Sequence, residues 1–325
     1  MDVGESVLRA PPGDGISCLS FSPYSKLLLL SSWDSTARLY DVSNNSPKAT
    51  FNFRAGTLAC CFQNDEVGFA CGLDNQIHSL NLDRGSTKLL GQHRCPVSCM
   101  QYDPHHNFLV TGSWDSTATV WDPRQTDSAH CTAVLNLPGK AYSLSLTSTR
   151  IVVATSERHI VVYDSRNLSA PEQVRESPLR YQTRKVSCFP NGEGFALGSI
   201  EGRVAVEYFE QQPDGKRYYA FKCHRRGDVA YPVNAIAFHP VYGTLATGGC
   251  DGIVNVWDCA NKKRLSQFHQ YPTSIASLAF SNDGSMLAIA SSYTFEEGEK
   301  EAISDDNVFL RCIQDVDVRP RPSVE

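Results

Sequence analysis

Short apolar segments and polar turns alternate along the whole chain. Some segments alternate apolar and polar residues, as half-buried strands do, and others are continuously apolar, as fully buried strands are. One unit recurs, in which an apolar run, a turn with an acidic residue and a second apolar run follow in the same order. Its clearest copies are LLLLSSWDSTARLYD (residues 27–41), FLVTGSWDSTATVWD (108–122) and TLATGGCDGIVNVWD (244–258).

A repeat of roughly 40 to 50 residues is typical of WD-type β-propellers, in which each repeat forms one four-stranded blade. The 325 residues therefore predict an all-β fold, a single seven-bladed propeller over residues 1–325. An orphan strand near the N-terminus is predicted to close the ring as the outer strand of the last blade, which removes an exposed sheet edge. The predicted blades cover approximately residues 14–52, 53–94, 95–138, 139–180, 181–229, 230–272 and 273–313 plus 5–9.

The innermost strand of each blade, strand a, is predicted at residues 16–21, 58–62, 97–102, 142–146, 185–189, 233–238 and 275–280. In six blades an acidic residue marks the turn between strands b and c: Asp34, Asp74, Asp115, Glu157, Glu201 and Asp251. The seventh blade has the acidic insertion FEEGEKEAISDDN (residues 295–307) in its place.

Blade three has the residues for an internal hydrogen-bond network. His93, Asp115 and Trp121 are spaced to bond across the blade, with either Thr111 or Ser113 between them. We interpret this set as structural, because buried polar groups need partners. The same role is predicted for the turn aspartates Asp34, Asp74 and Asp251.

Composition excludes several function classes. The net charge of −5 argues against nucleic acid or an anionic membrane as a partner. Most of the 12 cysteines lie in apolar strand patterns, where a free thiol acts as a small core residue. His93, Cys95 and Cys99 lack a second ligand pair, and the chain has neither a phosphate-binding loop nor a nucleophile elbow. We therefore expect no metal, no cofactor and no catalysis.

Positive charge collects in one part of the chain. Ten basic and six acidic residues lie between positions 175 and 226. In a propeller, the b–c turns and the connections between blades emerge on the same face, here called the top face. Four cations are predicted to converge at one rim of it: Arg184, Arg203, Lys222 and Arg225.

Two tryptophans are predicted on the same face. Trp33 and Trp114 precede the turn aspartates of blades one and three. Tryptophans at equivalent exposed positions are typical of anchors for a bound chain. Because arginine matches carboxylate and phosphate groups, the face is suited to an acidic or phosphorylated peptide.

Longer strings resemble the mitotic checkpoint Bub-three family of propellers. They are LRYQTRKV (179–186), SIEGRVAVEY (199–208), YAFKCHR (219–225), YPVNAIAFHP (231–240) and YPTSIASLAFS (271–281). The resemblance implies an adaptor of the spindle assembly checkpoint, located in the nucleus, at kinetochores in mitosis and also in the cytoplasm. It implies that Arg184, Arg225, Trp33 and Trp114 bind the GLEBS motif of Bub- or Mad-type checkpoint kinases or pseudokinases.

The resemblance assigns Arg203 and Lys222 to phosphothreonine in the Met-Glu-Leu-Thr repeats of a kinetochore scaffold. It also implies contacts with ubiquitin-related proteins or regulators of the anaphase-promoting complex. Two alternatives stay open. One is a nucleoporin-bound messenger-RNA-export propeller, the sister branch. The other is a cullin-ligase substrate receptor, which would dock its adaptor through Trp121-Asp122-Pro123-Arg124.

Overall fold

The computed structural model describes residues 4–125, 130–213, 215–299 and 305–321. These residues form seven four-stranded antiparallel sheets arranged as successive blades, so the prediction of an all-β, seven-bladed propeller is confirmed. Within the described ranges, no helix is long and apolar enough to cross a membrane. Residues 300–304, in the middle of the acidic insertion, lie outside the described part of the chain.

Strands a to d of the first four blades follow one another in chain order. Blade one has β2 (Ile16–Phe21), β3 (Leu27–Ser32), β4 (Thr36–Asp41) and β5 (Ser46–Asn52). Blade two has β6 (Thr57–Phe62), β7 (Val67–Gly72), β8 (Gln76–Asn81) and β9 (Ser86–Gln92). Blade three has β10 (Val97–Asp103), β11 (Phe108–Ser113), β12 (Thr117–Trp121) and β13 (Cys131–Asn136). Blade four has β14 (Ala141–Leu146), β15 (Arg150–Thr155), β16 (His159–Asp164) and β17 (Gln173–Glu176).

The last three blades carry the variations. Blade five has β18 (Thr183–Cys188), β19 (Gly194–Ser199), β20 (Arg203–Tyr208) and β21 (Tyr218–Lys222), followed by a small hairpin of β22 (Arg225–Arg226) and β23 (Val229–Ala230). Blade six has β24 (Val233–Phe238), β25 (Leu245–Gly249), β26 (Val254–Asp258) and β27 (Lys263–Gln267). Blade seven has β28 (Ile275–Phe280), β29 (Met286–Ser291), β30 (Asn307–Cys312) and β1 (Glu5–Val7), and the short helix α1 (Asp315–Val318) follows.

The hydrophobic core lies between blades. Strand β3 is almost entirely buried because neighbouring blades cover both of its faces, whereas the outer strand β21 alternates exposed and half-buried residues. The buried apolar residues form seven clusters, and each of them joins two successive blades. A chain of seven blades has seven such interfaces only when the ring is closed.

One hydrogen bond recurs at the top face of every blade. The backbone N–H after strand b donates to the carbonyl before strand a, for example from Trp33 to Gly15 (2.9 Å) and from Trp114 to Pro96 (3.0 Å). In blades one to six the b–c turn then passes through a residue with positive φ, such as Ser35 at 67° and Gly202 at 66°. The turn is therefore built alike in these six blades, while the residue that it presents to solvent varies.

The ring closes through the N-terminal strand, as predicted. Strand β1 pairs antiparallel with β30 in the register Glu5 with Arg311. The Glu5 side chain is fully buried; it accepts a hydrogen bond from the Tyr271 hydroxyl at 2.8 Å and lies 3.2 Å from an Arg311 nitrogen. Leu8, which follows β1, is buried in the cluster that joins blades seven and one.

We predict that Glu5→Ala lowers the free energy of unfolding by about 3 to 5 kcal/mol, because it removes the buried carboxylate that Tyr271 and Arg311 contact. Ser6→Ala, at the neighbouring exposed position, is the control and should change it by less than about 0.5 kcal/mol. Urea unfolding curves measure both values. Coincident curves for the two variants would contradict this role of Glu5.

Candidate functional site

The centre of the top face is a depression of about 590 Å³, here called the top-face depression. Its wall includes both predicted tryptophans, together with Arg184, Asn234 and Phe295. Trp33 is 47% exposed, and its ring lies close to the backbone at Gly15 and Gly56. The Trp114 indole N–H is buried and has no acceptor among the described residues. The wall of the depression therefore offers aromatic surface and one arginine to a bound chain.

Arg184 is exposed at the start of strand β18, on the inner side of blade five. Its Nε donates to the Asn234 side-chain oxygen at 3.2 Å, and the Asn234 amide donates to the Thr294 hydroxyl at 3.2 Å. The residue that precedes the blade-seven insertion is thereby connected to blade six and to Arg184. Neither Asn234 nor Thr294 has a motif that could have marked it in the sequence.

Three of the four predicted cations meet at the outer part of blade five. Arg203 and Lys222 lie directly opposite each other on strands β20 and β21. Like charges in directly opposite positions of a sheet repel each other. The third cation, Arg225, lies at the same turn: a Cβ added at Gly202 would be 3.0 Å from its Cγ. We call Arg203, Lys222 and Arg225 the cation cluster.

Few of the described residues neutralise the cation cluster. The Nε atoms of Arg203 and Arg225 are buried and have no hydrogen-bond acceptor within the described ranges. The Glu201 carboxylate lies 3.6 Å from Arg203 and also accepts the Arg180 backbone N–H at 3.1 Å. Three cations and one carboxylate leave an excess of two positive charges, the charge of a phosphate monoester with opposite sign.

The structure thus divides the four predicted cations between two places. Arg184 lies at the top-face depression with Trp33 and Trp114, on an inner strand two strands away from Arg203. With neighbouring strands about 4.8 Å apart, these two strands are separated by about 10 Å. The four cations therefore do not share a single rim as predicted. Arg184 lies at the start of strand a, whereas the cation cluster surrounds the start of strand c.

Gly202 brings the cation cluster together. A Cβ at this position would lie 2.2 Å from the His224 carbonyl oxygen, and the Gly202 carbonyl accepts the Cys223 N–H at 3.0 Å. The chain that carries Arg225 therefore packs directly on the turn that carries Arg203. A positive φ of 66° with no room for a side chain requires glycine at this point.

Comparison with known proteins identifies the family. A model of the WD domain, G-beta repeat, matches residues 5–41, 85–122 and 215–258. The chain is 51% identical to mitotic checkpoint protein BUB3.1 of Arabidopsis thaliana, over 98% of this chain and 95% of that protein. It is 43% identical to mitotic checkpoint protein bub-3 of Caenorhabditis elegans, over 96% and 94%. A poly(A)+ RNA export protein of Schizosaccharomyces pombe is 34% identical, over 96% and 91%.

The chain belongs to the mitotic checkpoint Bub-three family. Its sequence resemblance to that family is thereby confirmed. The chain is also similar, at lower identity, to an RNA export protein. The sequence analysis named the messenger-RNA-export propellers as the sister branch of the family.

Within this Bub-three propeller, the predicted network of blade three has His93 at its centre. Its two ring nitrogens lie 3.2 Å from Asp115 and 2.8 Å from the Thr111 hydroxyl, which also accepts the Trp121 indole N–H. Ser113 instead bonds the Cys95 carbonyl. Burial lowers the pKa of His93, although Asp115 opposes this effect.

A second network of this kind lies in blade six. His224 is fully buried and lies 2.9 Å from Asp251 and 3.0 Å from Thr247, which also accepts the Trp257 indole N–H. In the sequence only Asp251 was predicted to take part. His224 stands 27 residues before its aspartate, whereas His93 stands 22 before Asp115. Hairpin β22–β23 lengthens the segment between His224 and Asp251. The spacing therefore differs from that in blade three, and His224 was not predicted.

The remaining turn aspartates have different partners. Asp34 accepts a hydrogen bond from Arg38 at 2.7 Å, and Asp74 lies 3.7 Å from His78. Arg124, the basis of the cullin-receptor alternative, has a 62% exposed side chain and forms two hydrogen bonds to Asp122, at 2.9 and 2.8 Å. Its guanidinium is already engaged within the blade-three turn.

Some of the positive charge in the 175–226 segment is used inside the propeller. Arg175 bonds the carbonyls of Tyr208 and Phe209, both at 2.9 Å, and lies 3.5 Å from the buried Glu207 carboxylate. It therefore joins blade four to blade five and does not contribute to the top face.

We predict that Gly202→Ala lowers the free energy of unfolding by at least about 1 kcal/mol more than Gly227→Ala does. Both glycines have positive φ, 66° and 58°, so both changes introduce the left-handed strain of an L-residue. Only at Gly202 does the added methyl group meet a backbone oxygen, since Gly227 has open space around it. Urea unfolding of the two variants measures the difference, and equal losses would contradict close packing at this turn.

We predict a pH-dependent contribution of Glu207 to stability. Burial raises its pKa to about 7, against the opposing effect of Arg175, whereas an unfolded glutamate titrates near about 4.3. The folded protein therefore holds this proton more tightly. The resulting stabilisation is fully present below about pH 4 and is lost as the pH rises through about 7.

Glu207→Gln removes this titration. The free energy of unfolding of the variant, relative to the parent protein, should therefore rise between pH 4.5 and 8 by up to about 3 kcal/mol. Glu210→Gln is the control, because that side chain is 80% exposed. A pH-independent difference between parent and Glu207→Gln, measured by urea unfolding, would contradict the shifted pKa.

Proposed function

We propose that this protein is a non-catalytic adaptor of the spindle assembly checkpoint, acting in the nucleus and at kinetochores during mitosis. The names of its relatives from Arabidopsis thaliana and Caenorhabditis elegans support the checkpoint role. The adaptor brings Bub- or Mad-type checkpoint kinases or pseudokinases to a phosphorylated kinetochore scaffold. It does so because one disc holds two ligands at two separate places.

The first ligand is a phosphothreonine in the Met-Glu-Leu-Thr repeats of the scaffold, held by the cation cluster. The observation that carries this assignment is the direct opposition of Arg203 and Lys222 on neighbouring strands. Two cations in this position repel each other until an anion lies between them. A phosphate accepts charge-assisted hydrogen bonds from both residues and from the neighbouring Arg225 guanidinium, which unmodified threonine cannot do.

The second ligand is the GLEBS segment of the kinase, an extended acidic chain that lies across the top-face depression. Arg184 supplies a cation for its carboxylates, and Trp33 supplies exposed apolar surface. Trp114 supplies further aromatic surface on the wall of the depression. Arg225, the member of the cation cluster that lies in the connection to blade six, is suited to contact either ligand.

The messenger-RNA-export alternative is favoured by one observation, the 34% identity to a poly(A)+ RNA export protein. RNA binding that depends on the phosphate backbone requires many cations along a groove. Here the cation cluster is confined to one blade, Arg175 is used within the fold, and the net charge is −5. We therefore prefer a single phosphate group on a peptide as the ligand.

We predict that Arg203→Ala and Lys222→Ala each weaken binding of a phosphothreonine Met-Glu-Leu-Thr peptide by about thirtyfold, or about 2 kcal/mol. Isothermal titration calorimetry with the phosphorylated and the unphosphorylated peptide measures the effect. Both variants should bind a GLEBS peptide as the parent does. Affinity for the phosphopeptide should also fall with added salt, because the contact is ionic and partly exposed.

Arg124→Ala is the matched control, since it removes an exposed arginine from a bottom-face turn. It should leave phosphopeptide affinity unchanged. Unchanged affinity in Arg203→Ala and Lys222→Ala would contradict the proposed phosphate site. Loss of binding to a cullin adaptor in Arg124→Ala would instead support the ligase alternative.

A further inference from the structure

Phe295, the first residue of the blade-seven insertion, has an unusual conformation for its type. Its φ is 55°, in the left-handed region, which disfavours a residue with a Cβ. Its ring is nevertheless 57% exposed and belongs to none of the apolar clusters in the described part of the chain. Strained residues whose side chains gain little from the fold are found preferentially at binding sites.

Hydrogen bonds that do not involve the ring hold this conformation. The Glu296 carboxylate accepts bonds from the Ser274 and Thr294 hydroxyls. The Tyr293 hydroxyl donates to the Gly298 carbonyl at 2.9 Å, and the Gly298 N–H donates to the Phe295 carbonyl at 3.1 Å. The start of the insertion is thus a braced turn that presents Phe295 at its tip.

The ring lies at the top-face depression. Phe295 lines it together with Trp33, Trp114 and Arg184, and its closest aromatic neighbour is Tyr293, with ring centroids 5.1 Å apart. The depression therefore has aromatic walls from four blades: one, three, seven and also blade four, which contributes Tyr142. A side chain that enters it between these walls exchanges water for aromatic surface on several sides.

The charges around Phe295 indicate which kind of side chain fits there. On its other flank lies a second depression, of about 440 Å³, lined by Asp14, Asp305 and Asp306; Asp14 also lines the blade-one side of the top-face depression. These carboxylates repel an acidic residue, whereas Arg184, at the other part of the top-face depression, attracts one. The position next to Phe295 is therefore suited to a large uncharged side chain.

We propose that Phe295 is a third aromatic anchor for the kinase segment, taking one large apolar side chain at the blade-seven side of the top-face depression. The acidic residues of the segment lie towards Arg184. Arg184 marks a cationic side of the depression, and Phe295 marks an aromatic side that borders acidic residues. This difference sets the direction in which the segment crosses the disc. This inference rests on the proposed binding of a GLEBS segment.

The test uses Phe295→Gly, which removes the ring and also relieves the left-handed strain. We expect at least a tenfold loss of affinity for a GLEBS peptide in isothermal titration calorimetry, with a melting temperature equal to or above that of the parent. Phe295→Tyr keeps the aromatic ring and should bind within about threefold of the parent. Tyr24→Ala, which removes a 68% exposed aromatic elsewhere, should not change affinity.

Alanine substitutions in the peptide identify the side chain that contacts the ring. One large apolar position should weaken binding to the parent but have little effect on binding to Phe295→Gly, because the two changes remove the same contact. If the parent binds the peptide and Phe295→Gly binds it equally well, the anchor is overturned while the proposed function stands. If the parent does not bind the peptide at all, both are overturned.

Discussion

The pairing of β1 with β30 is the contact on which the rest of the molecule depends. Each of the seven apolar clusters joins two blades, so the interface between blades seven and one exists only when the two ends of the chain meet. A buried carboxylate, Glu5, is fixed at this junction by Arg311 and Tyr271. A closed ring leaves each blade little freedom to tilt, and the top-face groups therefore keep their relative positions without further contacts.

Binding groups on such a disc come from turns that the fold already requires. The b–c turn uses the same backbone hydrogen bond in every blade, and what it presents depends on local sequence. In blade five, Gly202 allows the following connection to pack against the turn, and Arg203, Lys222 and Arg225 meet there. Fixed cations of like charge are unfavourable in the free protein, so relief of their repulsion is part of the affinity that we propose for a phosphate.

The fold could be predicted from the sequence because the pattern of strands and turns is repeated in each blade. Strand positions followed from apolar runs, and ring closure followed from a strand near the N-terminus that had no blade of its own. Single side chains were harder. His224 was missed because an inserted hairpin changed its spacing to Asp251, and the choice between Thr111 and Ser113 depended on which hydroxyl faces His93.

The separation of Arg184 from the cation cluster depends on the order of strands across a blade, which spacing alone does not express. The insertion of blade seven was also beyond prediction. It interrupts the repeat, and the position of Phe295 follows from hydrogen bonds that its neighbours Glu296 and Thr294 form with Ser274 and Asn234. Sequence patterns thus predicted repeated backbone geometry, while contacts between blades determined the composition of each site.

A crystal structure of the protein bound to a phosphothreonine Met-Glu-Leu-Thr peptide tests the central claim most directly. The account predicts phosphate oxygens within hydrogen-bond distance of both Arg203 and Lys222, with the top-face depression free to hold a second peptide. A phosphate bound at any other part of the disc, or a phosphopeptide that fills the top-face depression, would contradict it.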